Sequence, residues 1–354
     1  MPELRVVVLG LSITSSWGNG HATNFRGLVR ALAGRGHDVL FLERDVPWYA
    51  AHRDLPQPPW GRTELYGSVE ELRERFGDAV AEADLVLLGS YVPEGVAVAE
   101  LAFELARGPV AFYDIDTPVT LAAVERGACE YLTPETMARF DLYLSFTGGP
   151  TLERLERGFG VRRARAFHCF VDADAYRPLE VEERWAAGYL GTYSADRQPP
   201  LDRLLLEPAR ARPDLSFVVA GPQYPDGIAW PANVERIEHL APPDHPAFYA
   251  AQRFTVNVTR DDMRRAGWSP SVRLFEAAAC AVPVISDRWD GLETFFSPGR
   301  EILLEDTLRW LELDDEEARA IGERARERVL GEHTAEHRAD ELEAHVEALA
   351  GARA

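Results

Sequence analysis

Residues 16–28 read SWGNGHATNFRGL, two glycines, an asparagine and a histidine directly before a helical apolar pattern. Small residues at such a helix start let free backbone amides approach an anion or a bound ring. His21 can take a proton from a hydroxyl near neutral pH or donate a hydrogen bond to a ligand oxygen; capping the local turn would occupy it equally well. Gly18, Gly20 and the acidic Glu43 also suggest a dinucleotide fingerprint. The spacing argues against it, because seven residues separate Gly10 from Gly18 and the third glycine position is Thr23.

Three further stretches carry residues suited to chemistry. In YDIDTP (113–118) two carboxylates leave a strand one residue apart, so they point to opposite faces unless the backbone turns. Asp116 is therefore expected to face a substrate hydroxyl and Asp114 to be structural, rather than the two sharing a metal. In GWSPSVRLFEAAACAVPVIS (267–286), Ser269 and Pro270 read as N-cap and first helical residue. That start would present the amides near Ser271 and Val272, with Arg273 one turn in, to a negative group, and Glu276 a turn further could accept two ribose hydroxyls. GTYSADRQP (191–199) is a strand exit carrying Arg197.

The chain contains no lysine, which excludes Schiff-base and P-loop chemistry. Arg197 and Arg273 are thus the natural cationic pair for clamping a diphosphate. The loop at 45–67 holds Trp48, Tyr49, Trp60 and Tyr66 among prolines. Such rings stack on sugars or flat acceptors, or pack the loop onto its own domain. HTAEH (333–337) sets two histidines four apart, and without a third ligand they read as solvated. Cys129, Cys169 and Cys280 are widely spaced and suggest neither a disulfide framework nor a zinc site.

The elements that must position these residues follow from apolar runs. LRVVVLG (4–10), HDVLFLERD (37–45), ADLVLLGSY (83–91), GPVAFYDID (108–116) and FDLYLSF (140–146) read as buried parallel strands, with helical spacing of Phe25, Leu28, Val29 and Leu32 after the first. A second series begins near residue 187 with AGYLGTYS, DLSFVVAGP, NVERIEHL, RFTVNVTR and AVPVISD. The fold class is α/β, with two Rossmann-like doubly wound domains facing a cleft. We expect a first domain over 1–175, a second over 176–332 and a C-terminal helix over 333–354 packing back toward the first domain. The proline-rich and charged stretch 171–185 is the expected hinge. The closing helical region is charged and reads as a solvated face.

A formal charge of −20, from 58 acidic and 38 basic residues, disfavours nucleic acid or an anionic membrane as partner. No apolar run reaches the roughly 18 residues of a membrane span, and the N-terminus lacks a secretory pattern, so a cytoplasmic location is expected.

In this order the motifs resemble a GT-B glycosyltransferase of the group 1 superfamily. GNGHATNFRGLVRALAGRGHDVLFLERD resembles the acceptor-side opening, FVDADAYRP the interdomain signature, YLGTYSADR the donor loop and VRLFEAAACAVPVIS the donor helix. YDIDTP and PSVRLFEAAAC look closer to its spore-maturation-protein-like branch. The resemblance implies a metal-independent transfer, without a cofactor, from a nucleoside diphosphate sugar such as a UDP-sugar to a small-molecule or polymer acceptor. It implies that Glu276 binds the donor ribose, that Arg197 stands in for the usual lysine, and that His21 lies beside the reacting sugar. On this reading His21 and Asp116 are catalytic. Gly20, Thr192, Arg197, Ser271, Val272, Arg273 and Glu276 bind the donor; Trp17, Asn19 and Tyr91 line the acceptor side. Two departures stand out: the usual loop arginine is Thr192, and the first glutamate of the retaining pair is replaced by Trp268. A nucleotide-sugar 2-epimerase or a non-catalytic nucleotide-sugar binding protein would use the same shell.

Overall fold

The computed structural model describes residues 2–18, 20–304 and 308–353. The chain divides into two units, Met1–Cys169 with Ala335–Ala354, and Phe170–Thr334. The chain passes from one unit to the other between 169 and 170, where the sequence pattern places the change at 175/176. Residues 172–184 then run without helix or strand into the second unit's first strand.

In the first unit, continuous Val and Leu runs form a seven-stranded parallel sheet: β1 (Arg5–Gly10), β2 (Asp38–Arg44), β3 (Arg62–Tyr66), β4 (Leu85–Gly89), β5 (Val110–Asp114), β6 (Leu142–Ser145) and β7 (Ala164–Ala166). Their spatial order is β3-β2-β1-β4-β5-β6-β7. The helix His21–Gly34 packs against β2, where Phe25 meets Phe41 at 5.1 Å, with Phe25, Leu28 and Val29 fully buried, as their spacing requires. One expectation fails at residues 45–67, which are not all loop. Pro47–Ala50 forms a helical turn and Arg62–Tyr66 the edge strand β3. RTELY is half exposed at a sheet edge, so it lacks the apolar run that marks the inner strands.

The second unit's sheet is β8 (Trp185–Leu190), β9 (Phe217–Ala220), β10 (Val234–Ile237), β11 (Gln252–Asn257), β12 (Val284–Ser286) and β13 (Leu303–Leu304), in the order β10-β9-β8-β11-β12-β13. All its pairings are parallel. The helix Asp315–Glu332 buries Ile321, Ala325 and Val329 against this unit, while Ala335–Arg353 belongs to the first. There the Leu4 amide donates to His37 Nδ1, which leaves the His37 proton on Nε2 to donate to Glu343 at 2.9 Å.

The closing region is not uniformly solvated. Arg338 is 2% exposed and donates to the His168 carbonyl. His333 and His337 do not share one helix: His333 ends the Asp315–Glu332 helix, buried against the rings of Phe275 and Phe295 at 4.7 and 5.6 Å. Its burial is an aromatic packing role that spacing alone does not reveal.

Candidate functional site

In an open parallel sheet, ligands collect beyond the carboxyl ends of the strands where the strand order reverses. In the first unit that point lies between β1 and β4, and the loops leaving them are the stretch 11–18 with Gly20, and the segment 90–94. The first loop is pinned from below by Glu43. Its fully buried carboxylate accepts from Ser12 Oγ, the Ile13 and Thr14 amides and Thr14 Oγ1 at 2.6–3.0 Å. Glu43 is therefore spent on structure, which closes the dinucleotide option on geometric grounds. Asp54 holds the outer part through Ser16 and a two-pronged bond from Arg26. Burial pushes that carboxyl up, but these bonds outweigh it and hold it at about 2.

The loop delivers His21 as first residue of its helix, whose N-cap Gly20 has no side chain to offer. Burial pushes the imidazole down to about 4, so it is neutral near pH 7. Its ring meets Tyr91 edge-on at 5.3 Å, and the Tyr91 hydroxyl donates to Asp116 Oδ2 at 3.2 Å. Tyr91 takes a left-handed backbone (φ 63°), an uncommon conformation for a bulky residue, as it leaves β4. Tyr91, just after β4, thus touches both His21 at its helix start and Asp116 just after β5. Asp114 sits beneath, fully buried, accepting from Tyr143, Thr120 and the Asp116 amide. Burial raises it to about 6 against those bonds. Asp114 is fully buried and bonded, whereas Asp116 is partly exposed beside Tyr91.

In the second unit the reversal lies between β8 and β11. Here the helix is Val272–Ala279, and its N-cap is Ser271, whose Oγ accepts from the Arg273 amide. The start is thus two residues later than Ser269 implies; Pro270 precedes the helix, and Ser269 is buried at 1% exposure. Arg273 turns inward: Nε donates to the Leu190 carbonyl at the end of β8, and Nη1 to Asn257 Oδ1 at the end of β11. Its guanidinium stacks over Tyr189 at 4.8 Å. Asn257 is oriented in turn because its Nδ2 donates to Ser286 Oγ. Arg197 approaches the same Tyr189 hydroxyl at 3.5 Å, steadied by Ser194. The close packing depends on Gly191, where a Cβ would lie 2.5 Å from the Tyr189 hydroxyl and 2.8 Å from Arg273 Nη2. Glu276, 6% exposed, accepts from the Tyr249 hydroxyl at 3.1 Å. Burial, and then this carboxylate, push both Tyr249 and Tyr176 well above the usual phenol range.

A glycosyl transferase-like family model matches residues 197–344, a stretch that contains Arg197, Arg273 and Glu276. No curated protein matches the chain. A sucrose-phosphate synthase from Thermosynechococcus elongatus superposes with a TM-score of 0.69 at 16% identity, over 98% of this chain and 99% of that one. HepE from Anabaena, in complex with UDP and glucose, gives 0.69 at 14% identity over 98% and 100%. The fold is that of the GT-B glycosyltransferases. A glycosyltransferase from Rickettsia africae gives 0.68 at 10% identity over 99% of both chains. HepE has also been solved with UDP-glucose.

Within this GT-B chain, the predicted residues separate into two groups. His21, Tyr91 and Asp116 come together, as do Arg197, Ser271 and Arg273. Thr192 and Val272 stand in the strand-exit loop and the first helical turn of the second group. Trp17 is 53% exposed and lies flat on His52, with ring centroids 4.4 Å apart. Asn19 lies outside the described residues. Tyr189, Asn257 and Tyr249 were not among the sequence candidates. A polar residue ending an otherwise apolar strand is the signal that could have found Asn257. No group of three or more His, Cys, Asp or Glu side chains that could hold a metal occurs among the described residues. No helix among the described residues is long and apolar enough to cross a membrane.

Proposed function

We propose that the chain transfers a hexosyl group from a UDP-sugar to an acceptor nucleophile, with arginines and helix amides, not a metal, carrying the diphosphate. The observation that carries this reading is the convergence of Arg197 and Arg273 on Tyr189 at the reversal point of the second sheet, in a chain without lysine. A guanidinium pair can stabilise the charge that develops on the leaving diphosphate. UDP as the nucleotide is suggested by the HepE complexes. The kinship of YDIDTP and PSVRLFEAAAC with the spore-maturation-protein-like branch belongs to the same reading.

In the transfer, the acceptor oxygen forms a bond to the anomeric carbon while the bond to the diphosphate oxygen breaks, and the electron pair leaves with UDP. The acceptor proton goes to neutral His21 in an inverting reaction, with Asp116 as second base. Glu276 accepts the ribose hydroxyls once Tyr249 yields its place.

The test is to titrate a panel of nucleotide sugars into the protein, follow its melting, and then analyse products with and without acceptors. We expect UDP-sugars to raise the melting temperature and the sugar to appear on an acceptor. Release of free sugar and nucleotide with no acceptor present would indicate the epimerase. Stabilisation without turnover would indicate a binding protein, and no stabilisation by any nucleotide sugar would overturn the reading.

A further inference from the structure

The first unit holds a cavity of about 310 Å³ against the catalytic candidates. Pockets that take small molecules begin at about this size, and they are apolar with few polar groups. The walls here are Tyr91, Tyr131, Val92 and Val119, with Trp48 at the mouth. Trp48 is 57% exposed, an unusual position for an indole unless the loop presents it to something. It is the one aromatic of its loop that stays so open: Tyr49 and Tyr66 are buried, and Trp60 lies under Arg30.

Among the described residues, the charged ones lining the cavity are Glu94 and Glu130, with no basic side chain beside them. Glu94 has a left-handed backbone (φ 55°) and pairs outward with Arg44 at 2.8 Å. Tyr91 is shared between cavity and chemistry, since its ring packs on Tyr131 at 4.8 Å and its hydroxyl is bonded to Asp116.

We infer that this cavity is the acceptor subsite, and that the acceptor is a flat, apolar, hydroxyl-bearing ring system with no anionic group. Aromatic walls reward a planar body, the Glu130 carboxylate at the rim repels carboxylates and phosphates, and the Tyr91 hydroxyl leads the acceptor hydroxyl toward Asp116. The inference rests on the glycosyl-transfer reading above.

Calorimetric titration of the full chain with 2-naphthol, 6-hydroxy-2-naphthoate and glucose tests it. We expect one site for 2-naphthol, at least tenfold weaker binding of the naphthoate, and no binding of glucose there. Trp48→Ala, at an exposed position, should keep the far-UV spectrum and weaken 2-naphthol by roughly three- to tenfold. Ala123→Phe, which intrudes on the cavity, should abolish binding, and Glu130→Arg should erase the bias against the naphthoate. Equal affinity for naphthoate, competition by glucose, or indifference to both Trp48→Ala and Ala123→Phe would overturn the inference. UDP-glucose turnover without 2-naphthol binding would remove the subsite and leave the transferase. Binding of 2-naphthol with no nucleotide-sugar recognition would remove the transferase reading and, with it, the acceptor role.

Discussion

Replacing Arg273 by methionine separates a structural from a ligand-binding role. The side chain is 8% exposed and bonds to the Leu190 carbonyl and Asn257 Oδ1. Its loss leaves two buried acceptors unpaired, at about 1–3 kcal/mol each, and removes a stacking contact with Tyr189 of about 1 kcal/mol. Methionine fills most of the volume, so a loss of roughly 3 kcal/mol in the unliganded protein is expected. The second effect is on ligand. A hydrogen bond to a charged group contributes about 1.5–3 kcal/mol, so UDP should bind about a hundredfold more weakly. With UDP at about 100 times the parent dissociation constant, ligand stabilises the parent by about 2.7 kcal/mol and the variant by only about 0.4 kcal/mol. Denaturant melts with and without UDP read both numbers. Arg197→Ala is the control: its guanidinium is steadied within its own loop by Ser194 and reaches Tyr189 at 3.5 Å, so unliganded stability should barely change while the UDP response shrinks. An Arg273→Met protein that keeps the full UDP response would refute the placement of the diphosphate, whatever its intrinsic stability.

Three further outcomes follow from the first unit. His21 protonates near 4 in the folded chain against about 6.5 unfolded, so its neutral form favours the fold above pH 6.5 and that stability drains away as pH falls toward 4. The amount is about 3 kcal/mol, and His21→Gln should flatten the acid limb of urea melts taken between pH 7 and 4.5; an unchanged limb would count against the buried imidazole. Asp114 acts in the opposite sense, because a carboxyl raised to about 6 contributes stability below about 3.9 and loses it as pH rises to 6; Asp114→Asn should therefore steepen the acid loss. Glu43→Gln replaces one accepting oxygen by a donor against four donors of the glycine loop. A loss of about 2–4 kcal/mol and faster amide exchange at Ile13 and Thr14 are expected, and native exchange rates there would show that the loop is held otherwise.

Two series of buried parallel strands, and hence two doubly wound sheets, could be read from the sequence, because a run such as LRVVVLG carries its burial in its own composition. Arg197 and Arg273 stood out in the sequence because the chain has no lysine, and the structure brings both to Tyr189. Edge strand β3 was not legible, as its half-exposed residues carry no such run. Nor were the partners that aim the site. Glu43 reads as a ligand residue until its register opposite Gly10 sets it under the loop it holds. The bond of Tyr91 to Asp116 spans 25 residues, and that of Arg273 to Leu190 spans 83. Local periodicity encodes which face of an element is buried, but strand order decides which loops leave the sheet side by side, and only that order brings these side chains within reach of one another.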